Sequence, residues 1–278
     1  MKIPCSVPLL TLNNQSSLRQ VLPLIQPIFE DVYIMDGNST DGTQEYARSC
    51  GVRVERQFDS DEPNLRITDF CEMRLRLWSK AKCSWLFLLD SDEIPTSELL
   101  SAVRSLVAQN DIYAAHRFIR MAQLPDGRIV RHAFFYPDRQ VRLFNVQSGI
   151  TLAPRAVHER LIFPPRVHIV DHTEVLLAPW AFPIQMWKKY KRYIALEGKS
   201  IQLTGWYLIR WILYFNVRSS LGQVIRALRA WLVGWYRKET SLPFLYTFPM
   251  ILYRFLSAGH GVKTWLIQRW KNGKIVSS

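Results

Sequence analysis

The stretch "SWLFLLDSDEIPTSEL", Ser84 to Leu99, runs five apolar residues, Trp85 to Leu89, directly into three acids, Asp90, Asp92 and Glu93. A short continuous apolar run bounded by polar residues reads as a strand buried on both faces, as in a parallel sheet covered by helices. The charge then marks the point where the strand leaves the core. In open α/β sheets that end of a strand is where ligands bind.

The residues before this stretch repeat the pattern. "CSVPLLTL" (Cys5 to Leu12) reads as a first strand and "SLRQVLPLI" (Ser17 to Ile25) as its helix; "DVYIMD" (Asp31 to Asp36) is a second strand. After it, "GNSTDGT" forms a turn in which Asp41 caps the next helix and Gln44 takes the third helical position of a capping box. Gly51 stops that helix, "VRVERQ" (Val52 to Gln57) is another strand, and "ITDFCEMRLRLWSKA" (Ile67 to Ala81) a helix, followed by one over Ser97 to Val107. Alternating strands and helices of this kind predict an α/β domain with a mostly parallel sheet. Further on, "RFIRMAQLPDGRIVRHAFF" (Arg117 to Phe135) reads as two strands joined at Asp126-Gly127.

Acids therefore stand at two strand ends, Asp36 and the pair Asp90 and Asp92. Each has an ordinary structural explanation, a turn or capping residue for Asp36 and a solvated helix start for "DSDE". Together they point to a site. Two carboxylates one residue apart offer hard oxygen donors to Mg²⁺ or Mn²⁺, and an ion held in this way also takes phosphate oxygens.

Composition divides the chain. Of its 278 residues, 1–180 hold 20 Lys and Arg against 21 Asp and Glu, whereas 181–278 hold 16 against 2. Seven of the ten tryptophans, 187, 206, 211, 231, 235, 265 and 270, lie in that basic part, interleaved with Lys and Arg as at a membrane headgroup level. In "LGQVIRALRAWLVGWYRK", Leu221, Val224, Ile225, Leu228, Trp231, Leu232 and Trp235 recur at helical spacing. The competing reading of that stripe is a helical cap on the sheet or a dimer interface. "GWYLIRWILYF" (Gly205 to Phe215) and "LPFLYTFPMILYRFL" (Leu242 to Leu256) are apolar nearly all round but too short to span a bilayer comfortably, and Pro249 is expected to interrupt the second, which favours re-entrant or in-plane helices over full crossings. The expected division is a catalytic domain over 1–180 and an amphipathic, membrane-associated helical region over 181–278. The four cysteines carry no C-x-x-C pair and read as thiols of a reducing compartment. "MKIPCSVPLLTLNN" is broken by Pro4 and Pro8 and reads as a strand rather than a signal peptide. A peripheral or monotopic protein on the cytoplasmic, inner face of the cell membrane is the expectation.

Thr11-Leu12-Asn13, "MDGNSTDGT" and "LLDSDE", in this order and spacing, resemble the family 2 glycosyltransferases of GT-A fold. "YPDRQVRLF" (Tyr136 to Phe144) followed by "VHER" (Val157 to Arg160) is similar to the branch that glycosylates lipopolysaccharide core and other lipid-linked glycans. The resemblance covers about residues 3–200 and is carried by the joint order of motifs. It implies an inverting, metal-dependent transfer of a sugar from a nucleotide-diphosphate sugar to a hydroxyl of a glycan or lipid-linked acceptor. Thr11, Asn13 and Asp36 would meet the nucleoside, Asp90 the ribose, Asp90 and Asp92 the metal and diphosphate, and Arg142 the diphosphate or acceptor. Glu159 would be the general base, with Asp138 and Asp171 next in line, and His158 a third metal or phosphate contact. Asn14 and Arg74 depart from the family pattern, which bears on the donor's identity.

Other classes fit less well. The glycine-rich basic loop of nucleotidyltransferases is missing from "TLNNQSSLRQ", and no G-x-x-x-x-G-K-[ST] occurs. The alternative from another class is a non-catalytic basic module for membrane or nucleic acid. Large apolar residues among the tail's charges favour lipid over nucleic acid.

Overall fold

Strands that alternate with helices and are apolar on both faces need cover on both sides, and the fold supplies it. The structure, a computed structural model, describes residues 1–153, 160–180, 182, 206 and 218–275. Its strands are β1 (Ile3–Thr11), β2 (Phe29–Asp36), β3 (Arg53–Arg56), β4 (Trp85–Phe87), β5 (Ile94–Pro95), β6 (Ala114–Gln123), β7 (Asp138–Asn145), β8 (Thr151–Leu152), β9 (Leu161–Ile162) and β10 (His168–Pro179). The helices are α1 (Gln15–Ile25), α2 (Thr43–Ser49), α3 (Phe70–Trp78), α4 (Ser97–Gln109), α5 (Ser219–Arg237) and α6 (Phe244–Ile275).

Two compact units result, one of residues 1–122 and 137–179, the other of 123–136 and 180–278. In the first, eight strands form one sheet in the order β3-β2-β1-β4-β7-β6-β10-β5. The run β3-β2-β1-β4 is parallel, as the alternation of elements predicts, and the pairs β4 with β7, β7 with β6 and β10 with β5 are antiparallel. The two-residue period of a strand sorts side chains between the two faces. Val32 and Ile34 of β2 join Leu18, Leu22, Leu99 and Val103 from α1 and α4, while Tyr33 and Met35 join Cys71, Leu77 and Trp78 from α3. The opening stretch divides likewise: Trp85, Phe87 and Leu89 enter the first cluster, Leu86 and Leu88 the second, and all five are buried. Burial on both faces is why the run is apolar without alternation.

Element ends differ from expectation by a few residues, and the helix near 67–81 is shorter, because Asp69 accepts from the Glu72 N–H and caps it. The hairpin expected over Arg117–Phe135 is a larger departure. The turn at Asp126-Gly127 forms, with Gly127 at φ 84°, but after the bridge Gln123 to Ile129 no second strand follows. Strand β6 pairs with β7 instead, placing Arg120 opposite Asp138.

The backbone of the missing strand bonds elsewhere, inside the second unit. The N–H groups of Arg131 and His132 both reach the Thr240 carbonyl, the Leu242 N–H reaches His132, and His132 pairs with Glu239 at 2.6 Å. Phe135 stacks on Trp180, which contacts Tyr246 of α6. The turn between α5 and α6 is tight: Lys238 is left-handed at φ 54°, and a Cβ on Gly234 would lie 3.1 Å from the Glu239 carbonyl and overlap the Ser241 hydroxyl. Pro249 does not interrupt α6, which runs through it. No helix among the described residues is long and apolar enough to cross a membrane. The expected segment 205–215 lies outside the described residues except for Trp206.

Candidate active site

Strands β2 and β3 step away from β1 on one side and β4 lies on the other, so the loops following β1 and β4 diverge at a topological switch point. Residue Thr11 ends β1 directly opposite Asp36 at the end of β2. Asp36 is fully buried and its two oxygens accept four hydrogen bonds: from the Thr11 hydroxyl at 2.7 Å, the Ser39 N–H at 2.8 Å, the Ser39 hydroxyl at 2.6 Å and the Gln44 amide at 2.8 Å. Its carboxylate thus pins the loop 37–42 to the strand ends rather than standing open in the crevice. Gln44, expected in a capping box, is drawn to Asp36 instead. The N-cap of α2 is Gly42, without a side-chain cap, and Asp41, one residue before it, accepts from the Thr43 N–H and from the Gln15 N–H that begins α1, each at 3.0 Å.

Three asparagines in the left-handed region, Asn13, Asn38 and Asn64, shape the rim. The Asn13 amide donates to Asn64 at 2.8 Å and its oxygen accepts from the Thr40 N–H at 3.0 Å. The Asn38 amide donates to the carbonyls of Ser60 and Glu62. Below them the Gln57 amide joins the ends of β1 and β2 through the carbonyls of Thr11 (3.0 Å) and Met35 (2.8 Å). Gly37 lies so close to this layer that a Cβ would meet the Leu65 carbonyl at 2.5 Å. One wall of the crevice is therefore preformed by hydrogen bonds among its own residues.

On the β4 side, acids and guanidinium groups from four elements meet. Asp90, with its side chain 38% exposed, receives Arg74 of α3 at 3.3 Å and faces Arg142 of β7 at 3.8 Å. Glu93 is buried, accepts the Asp90 N–H at 3.0 Å, forms a short hydrogen bond with Arg142 and lies 3.4 Å from Arg120 of β6. Arg120 also holds Asp138 at 2.8 Å. Burial pushes the Asp90 carboxyl up, but Arg142, Arg74 and Arg120 outweigh it and hold the group below its ordinary value. Glu93 goes the other way: burial, with Asp90 adding to it, lifts its carboxyl well above the usual range against the pull of Arg142 and Arg120.

The structure thus brings together Thr11, Asn13 and Asp36 at one strand pair, and Asp90 and Arg142 at the other. Arg142 is buried beside Asp90 and committed to Glu93, with its Nε left without a partner. Asp92, two residues after Asp90, is exposed. His158 and Glu159 lie outside the described residues. Asp138 is taken by Arg120, and Asp171 is gripped by Arg117 at 2.6 and 2.8 Å, which with Arg139 holds its carboxyl down at about 2. Neither is placed as a base. Sequence reading passed over Glu93 as the hub and Arg120 as its partner. The cross-strand register of Arg120 and Asp138 is the signal, and it depends on pairing β6 with β7.

No group of three or more His, Cys, Asp or Glu among the described residues is placed to hold an ion by itself. The half-open Asp90 and exposed Asp92 suit a different arrangement, a Mg²⁺- or Mn²⁺-type ion that keeps waters and is shared with phosphate oxygens. That donor set fits.

The sequence matches no protein-family model. Among solved structures, the chain is similar to S. aureus TarS 1–349 in complex with UDP, at 14% identity over 80% of this chain and 75% of that one, with a TM-score of 0.44. The same protein in complex with UDP-GlcNAc gives 13% identity over 77% and 73%, with a TM-score of 0.42. Glucosyl-3-phosphoglycerate synthase from Mycobacterium tuberculosis, with Mn²⁺, UDP and glucosyl-3-phosphoglycerate, gives 19% identity over 43% and 44%, with a TM-score of 0.32. Likeness at this level carries no argument about the activity, which has to be made from the site itself.

Proposed function

We propose that the chain is an inverting glycosyltransferase of the family 2 type, moving a sugar from a nucleotide-diphosphate donor to a hydroxyl of a glycan or lipid-linked acceptor. The observation that carries this reading is the crevice at the switch point, with a preformed wall at Thr11, Asn13 and Asp36 on one side and the acid and arginine cluster of Asp90 on the other. A nucleoside has a polar, rigid wall to lie against. A diphosphate has Arg74 within reach of the same carboxylate that would share its cation.

In this reading Asp36 acts by fixing the loop that receives the nucleoside, and Thr11 and Asn13 line it. Asp90 and Asp92 would hold Mn²⁺ or Mg²⁺, which neutralises the departing diphosphate. Glu93 and Arg142, buried beneath, keep Asp90 in place. Glu159 is proposed as the base that takes the acceptor proton, with His158 as an auxiliary contact. The pathway proposed is cell-envelope polysaccharide or lipopolysaccharide synthesis, at the inner face of the cell membrane, with residues 181–278 against anionic lipid.

The test is calorimetric titration with a panel of nucleoside diphosphates, with and without Mn²⁺. Metal-dependent binding that weakens in Asp92→Asn while the fold persists supports the reading, and unchanged affinity in that variant removes the metal assignment. Glu159→Gln should keep donor binding and lose transfer by about 10²- to 10⁴-fold; near-normal turnover moves the base elsewhere.

A further inference from the structure

Helix α5 is built inside out. Over its 19 residues, about 28 Å of helix, Leu221, Ile225, Leu228, Trp231, Leu232 and Trp235 fall within about 120° of arc, as a 3.6-residue repeat requires of that spacing. In a helix that caps a core this stripe would face inward. Here it faces solvent: Leu228 is 59% and Trp235 80% exposed. The inward side is made of small and polar residues instead, Ser220 and Gly234 buried, Gln223, Ala227 and Ala230 partly so. Close approach at Gly234 fixes that orientation, because the Ser241 hydroxyl, which donates to the Ala230 carbonyl, occupies the space where a side chain would be. Phe244, Leu245 and Phe248 at the start of α6 add exposed apolar surface in the same unit.

We propose that this face of α5 lies in the plane of an anionic phospholipid surface, with its leucines and tryptophans in the acyl boundary. Charge selects this occupant. The helix contains no Asp or Glu; Arg229 borders the stripe beside Ile225, Arg226 and Arg237 are exposed further round the same side of the helix, and Lys238 stands at its end. Lipid phosphates complement this unopposed positive charge. A second copy of the chain does not, because a two-fold contact through the stripe would set two basic helices against each other with no Asp or Glu in either to pair their charge. Trp231 at one edge of the leucine stripe and Arg229 next to the other also match the chemical gradient from acyl chain to headgroup. The proposal deepens the reading of a lipid-linked acceptor and rests on it only for its purpose. A tether in the same chain keeps the enzyme where such acceptors are.

The test is co-sedimentation of the full-length chain with phosphatidylglycerol/phosphatidylcholine vesicles, without donor or acceptor, comparing wild type with Leu228→Glu/Leu232→Glu. Both leucines are exposed, so the variant should keep its far-ultraviolet circular dichroism and its nucleotide binding. Vesicle affinity should fall about 10²-fold, the loss of burying two leucines. Wild-type binding should also weaken on pure phosphatidylcholine and at high salt, and tryptophan emission should shift to the blue on binding. Equal vesicle binding by the variant overturns the proposal. So does a wild type that ignores vesicles but forms a dimer that the variant breaks, which assigns the face to a second copy. Loss of nucleotide binding in both proteins with vesicle binding intact counts against the transferase reading alone.

Discussion

Replacing Arg142 by Met tests whether the buried ion network is what holds Asp90 in place. In the native site Glu93 has 1% of its side chain exposed and Arg142 7%, and the nearest other cation to Glu93 is Arg120 at 3.4 Å, already bound to Asp138. Removing Arg142 leaves a buried carboxylate short of its main partner, a change that typically costs about 3–5 kcal/mol. The cost depends on pH in a definite sense. Glu93 already has its carboxyl raised by burial, and without Arg142 it rises further. Between the unfolded and folded values the native state holds a proton that the unfolded chain does not, so stability falls as pH rises through that window and is restored toward its lower end. Arg142→Met should therefore be much less destabilised at pH 5 than at pH 8. Glu93→Gln/Arg142→Met, which removes both charges, should recover most of the loss at pH 8. Hydrogen exchange of the β4 and β7 amides reads this locally, as a drop in protection of about 10²-fold or more at pH 8, by the factor of ten per 1.4 kcal/mol. A loss independent of pH, or no recovery in the double variant, would show that the network does not carry the charge argued here.

Other outcomes follow from single positions. Asp36→Asn should cost only about 1 kcal/mol, because its amide can face the hydroxyls of Thr11 and Ser39, which turn to accept, while Asp36→Ala should cost about 3 kcal/mol or more by orphaning the Ser39 N–H and Gln44; urea unfolding measures both. Gly37→Ala forces a Cβ against the Leu65 carbonyl and Gln57, which should destabilise by about 1–3 kcal/mol and weaken nucleotide binding in a titration, whereas Gly127→Ala meets nothing within 4 Å and should leave binding intact despite its positive φ. His116, buried and 3.0 Å from His172, is pushed down to about 4 by burial and then by His172. Its contribution is complete above the unfolded value near 6.5 and is lost as pH falls toward 4, by about 3 kcal/mol in all, so His116→Phe should flatten the acid limb of a stability profile.

The parallel half of the sheet was legible because each strand is short, apolar on both faces and closed by turn residues, and because Asp36 and Asp90 stand where those strands leave the core. The antiparallel half was not. Residues 117–135 carry a good turn signal at Asp126-Gly127, and local chemistry does place a turn there, but whether the following residues pair back is decided by partners more than a hundred residues away, Glu239 and Thr240. For the same reason Arg120 could not be matched with Asp138 or Glu93. The role of Asp36 shifts in a related way: position at a strand end suggests a ligand contact, while its four donors make it a clamp.

Helix α5 shows where periodicity stops being informative. Leu221, Ile225, Leu228 and Trp235 define a stripe from spacing alone, and spacing is the same whether the stripe packs on a sheet or meets a bilayer. What decides is the opposite side, where Ser220, Ala227, Ala230 and Gly234 are too small to leave the neighbouring turn at a distance. A helix that approaches its own unit through glycine and alanine has put its large apolar residues on the outside, and the absence of any acid among them gives that outside its sign. The sequence therefore contained both halves of the argument, the outward stripe and the inward small residues, and only the position of Gly234 against Ser241 says which half is buried.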